Sequence, residues 1–137
     1  MKITSADAWV SRCIREGADN ICERCKTDYR GRRGLNCCHY EGRDSQAVRT
    51  DPINLFCMCM GCHRHMDEHK VEFHEFYLEL KGQSAYDVLV EKTRNITLAK
   101  QNKRELKEIA KHYKAEHKRI LDERSTGKTG RIEVIGY

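Results

Sequence analysis

The sequence lacks the long apolar segments that mark membrane-spanning and secreted proteins. Its first residues, MKITSADAWVSR, contain no apolar core of the signal-peptide type, and no later stretch approaches the roughly 20 apolar residues that a membrane-spanning helix needs. We therefore expect a cytoplasmic protein with no membrane partner. In that reducing compartment, closely spaced cysteines favour metal binding over disulfide formation.

Aromatic residues are also scarce, and neither sign of charge dominates strongly. Only 7% of the 137 residues are aromatic, whereas 34% are charged. A small domain with so little apolar material usually needs an additional cross-link to be stable. The net charge of +5 is compatible with a polyanionic partner but does not require one.

Cysteine, in contrast, is abundant, with eight residues in the chain. Four of them form two Cys-x-x-Cys pairs, Cys22 with Cys25 and Cys59 with Cys62. Two such pairs can bring four thiolates to one tetrahedral zinc ion, and four thiolates leave no open position for water. We therefore predict a structural zinc. Cys57 is close enough to Cys59 in the chain to compete as a ligand, and Cys13 is expected to pack on an apolar helix face.

The apolar pattern predicts short elements around these pairs. Residues 4–17 read as a helix with a capping sequence at Thr4, residues 20–34 as a loop, and residues 35–41 as an extended segment. Asp51-Pro52 predicts a turn, because the residue before a proline is pushed away from helical geometry. A short strand or turn is then expected to carry Asn54 to the second cysteine pair.

The second half of the chain reads as helical. We predict one helix from His63 to Leu80, a short one from Ser84, and a longer one from Thr97. The last carries an apolar stripe that is expected to pack within the domain or against a second copy. Residues 125–137 are predicted to be a flexible tail, with an edge strand over 131–137 as a further expectation.

Three polar residues lie between and beside the cysteine pairs: His39, Asn54 fifteen residues later, and His63 directly after the last cysteine. Hydrolysis of a phosphodiester needs a base to activate water and a divalent ion to neutralise charge. An imidazole suits the first task because its ordinary pKa is about 6.5. A lone histidine is more often a structural residue, but the joint spacing with the cysteines favours a nuclease site.

These residues carry a resemblance to a known family. The strings Cys22-Glu-Arg-Cys25, Cys38-His39-Tyr40 and Asn54-Leu-Phe-Cys-Met-Cys59-Met-Gly-Cys62-His63 resemble the HNH, or His-Me finger, nuclease motif. More narrowly, the chain resembles the phage NinG/Rap recombination family over roughly residues 5–124. The resemblance implies an α+β fold with a small zinc-stapled ββα-metal core, about residues 18–82, and flanking α-helices, about residues 83–124, in one nuclease domain spanning 1–124.

The resemblance also implies a role for each residue. His39 aligns with the general base, Asn54 with the residue that holds the base in orientation, and His63 with a ligand of a catalytic magnesium or manganese ion. Related motifs have Asp or His where this chain has Cys38 and Asn36, and a thiolate suits magnesium poorly. We therefore consider Asp67, one helical turn after His63, as a second ligand. Further candidates for this ion are His65 and His69.

The activity that this resemblance implies is cleavage of branched DNA, such as Holliday junctions and D-loops, in phage recombination within the host cytosol. A homodimer is expected, because resolving a junction needs two cuts related by near two-fold symmetry. A basic loop is a candidate for phosphate contact, with a solvated loop as the equal alternative. Its residues are Lys26, Arg30, Arg32 and Arg33.

Two other interpretations remain open from the sequence. One is a catalytically inactive, zinc-dependent module that binds nucleic acid or acts as an adaptor. The other is a thiol redox protein that uses Cys37 and Cys38 or a Cys-x-x-Cys pair. Zinc in the pairs would disfavour the redox interpretation.

Overall fold

Six α-helices surround a two-stranded antiparallel sheet in the computed structural model, which describes residues 1–137. In chain order the elements are α1 (Ser5–Gly17), β1 (Leu35–His39), a 3-10 turn (Pro52–Asn54), β2 (Leu55–Cys59), α2 (Met60–Glu68), α3 (Lys70–Leu80), α4 (Gln83–Thr93), α5 (Ile96–Arg104) and α6 (Leu106–Ser125). The predicted α+β class is confirmed. No helix in the structure has the length and apolar character that crossing a bilayer would take.

The helix predicted near the N-terminus is present and starts as its sequence suggests. Thr4 Oγ1 accepts a hydrogen bond from the Asp7 amide at 3.1 Å, and the Thr4 amide donates to Asp7 Oδ2 at 2.8 Å. This reciprocal pair satisfies two backbone groups that a helix end otherwise leaves without a partner. The apolar face of α1 packs against α6.

The sheet lies between two hydrophobic cores. In its antiparallel register Leu35 faces Cys59 and His39 faces Leu55. Along β2 the side chains alternate: Phe56 belongs to a core formed with α2, α3 and α4, whereas Leu55 belongs to a core formed with α1 and α6. Burial on both faces explains why β2 is an unbroken apolar run, LFCMC.

Two of the predicted helices are each interrupted once. The helix expected over residues 63–80 starts at Met60 and breaks at His69, whose φ of −126° and ψ of 74° are not helical. The helix expected from Thr97 is divided into α5 and α6 by Glu105, with φ −100° and ψ 23°. In each case the sequence is helical on both sides of the break, so the helical period alone does not reveal it.

The C-terminal segment packs against the body of the protein, in contrast to the flexible tail that we predicted. Residues 131–137 form no strand, but the Ile132 amide donates to the Gly17 carbonyl at 2.9 Å and the Ile135 amide to Glu116 at 2.6 Å. A Cβ atom at Gly17 would lie only 2.8 Å from the Ile132 carbonyl oxygen. The glycine that ends α1 therefore also permits the tail to pack there.

The apolar stripe of α6 is used within the chain. Ile109, Tyr113 and Ile120 are buried at its contact with α1. The stripe was expected to pack either within the domain or against a second copy, and in the structure it packs within the domain. A homodimer would therefore need a different surface.

A buried ion pair joins α1 to the loop before β2. Arg49 Nη2 lies 2.6 Å from Asp7 Oδ2, and both side chains are about 5% exposed (6% and 5%). Burial alone would raise the pKa of the Asp7 carboxyl, but hydrogen bonds from Arg49 and Thr4 outweigh burial and hold that pKa below its ordinary value of 3.8. Asp7 is therefore ionised at neutral pH and fixes the position of Arg49.

We predict that Asp7→Asn lowers the free energy of unfolding by about 3 kcal/mol, because it leaves the Arg49 charge buried without a counter-charge. Urea unfolding of both proteins at pH 7 with saturating zinc measures the difference. The folded-state pKa of Asp7 is lowered, so its stabilising effect is present above pH 3.8 and is lost as the pH falls further. The difference in the free energy of unfolding between wild type and Asp7→Asn should therefore become smaller as the pH falls below 3.8.

Asp122→Asn is the matched control, since the pair of Lys118 and Asp122 is exposed (78% and 65%). It should change stability by less than about 0.5 kcal/mol. Equal effects of the two substitutions would contradict a structural role for the buried pair.

Candidate metal centre and adjoining cleft

Four cysteine side chains converge at the start of α2. Cys59 ends β2 and Cys62 lies in the first turn of α2, whereas Cys22 and Cys25 come from the loop after α1. Their Sγ atoms all lie within 4.8 Å of one another, and those of Cys25 and Cys59 are 3.9 Å apart. Tetrahedral zinc with bonds of about 2.3 Å requires sulfur atoms about 3.8 Å apart. The cluster therefore has the geometry and donor set to hold a structural zinc.

Hydrogen-bond donors lie beside Cys22 and Cys25, whereas burial raises the pKa of the Cys62 thiol to about 12. The amide of Cys59 donates to Cys22 Sγ at 3.4 Å. Thr27 Oγ1 lies 3.1 Å from Cys25 Sγ, and hydrogen bonds from Thr27 lower the pKa of the Cys25 thiol to about 6. Since zinc binds the thiolate, these contacts favour the metal-bound form.

The other four cysteines lie outside this cluster. Cys57 is buried in the core between α1 and α6, so it is not placed to compete with Cys59. Cys13 packs in the same core, as predicted. Burial raises the pKa of the Cys37 thiol to about 12 and also raises the pKa of Cys38. Both thiols are therefore protonated at neutral pH, which argues against a redox role for this pair.

A cleft of about 450 Å³ lies between α1, β1 and α2. His39 at the end of β1, His63 of α2 and Asn36 of β1 line the same cavity. Three arginines also line it, and none of them takes part in a salt bridge: they are Arg12, Arg15 and Arg43. The cleft thus combines two imidazoles with three positive charges that have no acidic partner, although Arg12 lies over the Trp9 ring at 4.4 Å and Arg15 donates to Ser11 Oγ.

His39 is held as a neutral imidazole with one free nitrogen. Its Nε2 lies 3.0 Å from the carbonyl oxygen of Arg49. Because a carbonyl only accepts, Nε2 carries the proton and Nδ1 keeps a lone pair. Burial, and next the positive charge of Arg43, lower the pKa of His39 to about 4. His39 is therefore neutral at pH 7.

Asn54 does not contact the His39 ring, and its side chain instead bonds the loop that follows β1. It is fully buried, its Oδ1 accepts from the Glu41 amide at 2.7 Å, and its Nδ2 donates to the carbonyls of Glu41 at 2.9 Å and Val48 at 3.2 Å. These bonds hold together the two ends of the loop that follows β1. Val48 precedes Arg49, whose carbonyl contacts His39.

His63 presents its two ring nitrogens to different neighbours. Nε2 lies 3.1 Å from Asp67 Oδ2, and Nδ1 lies 3.5 Å from Asn36 Nδ2. Asn36 and His63 line the cleft, whereas Asp67 does not. Of the two partners, only Asn36 therefore shares the cavity with His39.

The remaining predicted residues lie elsewhere. His65 and His69 do not line the cleft and form a separate group with Glu72. The basic loop does not line the cleft either. Within that loop, Arg30 pairs with Asp28 at 2.6 Å and Arg32 lies over the Tyr29 ring at 4.4 Å, while Lys26 and Arg33 are exposed.

The three arginines of the cleft were not predicted from the sequence. Arg12 and Arg15 are three residues apart on α1, a spacing that places them on one side of a helix and that could have been noticed. Arg43 lies in the loop after β1, and its position has no sequence signal.

In comparisons with known proteins, no family model, no curated protein and no solved structure matches this chain.

We predict that the purified protein holds about one zinc per chain and that Cys25→Ser removes tight zinc binding, because three thiolates do not close the coordination shell. Cys57→Ala is the matched control and should keep its zinc, since Cys57 lies outside the cluster. Metal analysis after dialysis measures both. Loss of zinc from Cys57→Ala, or full retention by Cys25→Ser, would contradict this ligand set.

Proposed function

We propose that this protein is a metal-dependent DNA endonuclease of the HNH, or His-Me finger, type. The observation that carries the proposal is that His39 and His63 line one cleft together with three arginines that have no acidic partner. Strands β1 and β2 followed directly by α2 supply the two strands and helix that a ββα-metal core requires. The tetracysteine cluster lies at the junction of β2 and α2.

His39 is proposed as the general base that activates the attacking water. Its Nδ1 is free to accept a proton, while the hydrogen bond from Nε2 to the Arg49 carbonyl holds the ring in place. The low pKa keeps the imidazole unprotonated at neutral pH, which is the state that a base requires.

His63 and Asn36 are proposed to hold the catalytic cation in the cleft. An amide oxygen suits magnesium or manganese, and the Asn36 amide can present its oxygen by a flip. An imidazole nitrogen is a ligand typical of transition ions, so His63 favours manganese of the two. The Asp67 carboxylate then accepts the proton on His63 Nε2 and fixes the ring, as carboxylates beside metal-binding histidines commonly do. The cation would neutralise charge on the scissile phosphate and the leaving oxygen.

The three arginines of the cleft are proposed to hold the DNA backbone. Guanidinium groups bind phosphate oxygens through paired hydrogen bonds, and Arg12, Arg15 and Arg43 have no acidic partner that would compete. We propose a branched recombination intermediate as the substrate, on the resemblance to the NinG/Rap family alone. Cutting such a junction twice would engage two copies of the chain.

The second candidate function is a catalytically inactive module that binds DNA. The observation that favours it is the missing acidic ligand: Asn36 stands in the cleft, Cys38 is buried, and no Asp or Glu other than the ion-paired Asp7 lines the cavity. The two functions differ in whether strands are cut, not in whether DNA is bound.

We predict that His39→Ala lowers the rate of strand cleavage at least about 100-fold and leaves DNA affinity nearly unchanged, because only water activation is lost. Cleavage of a four-way junction and of a linear duplex with the same arms, measured with magnesium and with manganese, tests this. His112→Ala is the matched control, since His112 Nε2 also contacts a backbone carbonyl, at 2.8 Å, but lies on α6. A His39→Ala protein that cuts at the wild-type rate would overturn the assignment of the base.

We further predict that Arg43→Gln weakens DNA binding and reduces the slope of log affinity against log salt by about 0.9, the effect of one lost phosphate contact. Arg30→Gln should change neither quantity much, because Arg30 is already paired with Asp28. Fluorescence anisotropy over a range of salt concentrations measures both. The opposite ranking would place the DNA on the basic loop instead of in the cleft.

A further inference from the structure

Three side chains outside the cleft meet where α2 gives way to α3. His65 comes from α2, His69 is the non-helical residue between the helices, and Glu72 lies in the first turn of α3. One ligand atom from each lies within 4.8 Å of the others. We propose that these three side chains form a second metal site, which binds a divalent ion such as zinc, cobalt or nickel. Its ligands are His65, His69 and Glu72.

This site is distinct from the cleft and from the tetracysteine cluster. His65 follows His63 by two residues, which turns its side chain about 200° around α2. None of the three residues lines the cleft, and none belongs to the tetracysteine cluster. A metal here would therefore not be the ion proposed for the nuclease reaction.

The break at His69 builds the site. Glu72 follows His65 by seven residues. In one straight helix the two residues would therefore lie close to two full turns apart. The non-helical conformation of His69 instead brings Glu72 Oε2 to 2.7 Å from His65 Nε2. Tetrahedral zinc with bonds of about 2.0–2.1 Å needs its ligands about 3.3 Å apart, so these two atoms have to separate by only about 0.6 Å.

A second contact prepares His69 as a ligand. His69 Nδ1 lies 2.7 Å from the backbone carbonyl of His65. Nδ1 must be the protonated nitrogen, because the carbonyl only accepts, so Nε2 carries the lone pair. Metal-binding histidines typically donate their other N–H to a carbonyl in this way. The two imidazoles are also nearly parallel, with centroids 4.1 Å apart.

The surrounding contacts leave the carboxylate able to bind. Arg24 contacts the other oxygen, Glu72 Oε1, at 3.3 Å, and all of these side chains are reachable from solvent. Two imidazoles and one carboxylate form a set that suits zinc, cobalt or nickel and leaves a fourth position for water. Arg24 also donates to Cys62 Sγ at 3.4 Å, so this site adjoins the tetracysteine cluster.

The test is calorimetric titration of zinc into the full-length protein that already holds one zinc. Wild type should bind a further equivalent, and His69→Ala and Glu72→Gln should each weaken that binding at least about 10-fold while keeping the first zinc. His112→Ala is the control for a half-buried histidine outside both sites. His63→Ala is the control for the cleft and should leave this binding unchanged.

Circular dichroism establishes that each variant is folded before it is titrated. The proposal is overturned if wild type binds no second equivalent, or if His69→Ala and Glu72→Gln bind it as wild type does. Loss of the second equivalent in His63→Ala alone would assign it to the cleft and would equally overturn the proposal. Because no DNA is present, the outcome does not depend on nuclease activity.

Discussion

The convergence of four cysteines is the constraint on which the rest of the structure depends. It fixes two segments 34 residues apart at the point where β2 becomes α2. His63 directly follows the last of these cysteines, so the cluster sets the position of that imidazole. In the strand pair Cys59 faces Leu35 at the start of β1, whereas His39 lies at the other end of the pair, opposite Leu55. A zinc bound there would add the cross-link that a small domain with few aromatic residues usually needs.

A second, independent anchor holds the other wall of the cleft. The buried pair of Asp7 and Arg49 joins α1 to the loop after β1, and Asn54 holds the two ends of that loop. The Arg49 carbonyl then determines which nitrogen of His39 carries the proton. Stability and proposed chemistry are thus linked, because the buried ion pair includes Asp7, which itself lines the cleft, and holds the Arg49 backbone that contacts the group proposed as the base.

Local signals predicted much of this arrangement. The Cys-x-x-Cys spacing predicted the metal cluster, and the capping sequence at Thr4 predicted the start of α1. What could not be predicted depends on contacts between distant residues. The packing of the tail on Gly17 and the placement of Arg43 in the cleft arise only once α1, β1, α2 and α6 are assembled. The composition of the basic loop predicted a phosphate contact, yet Arg30 of this loop is already paired with Asp28.

The central claim is that the cleft cuts DNA with the help of a divalent ion other than the structural zinc. The most direct measurement incubates the one-zinc wild-type protein with a four-way junction in buffer without free metal, and then with magnesium or manganese added. The account predicts strand breaks only after addition. Tight binding of the junction without any break under either metal would contradict it and would leave the inactive DNA-binding module as the better description.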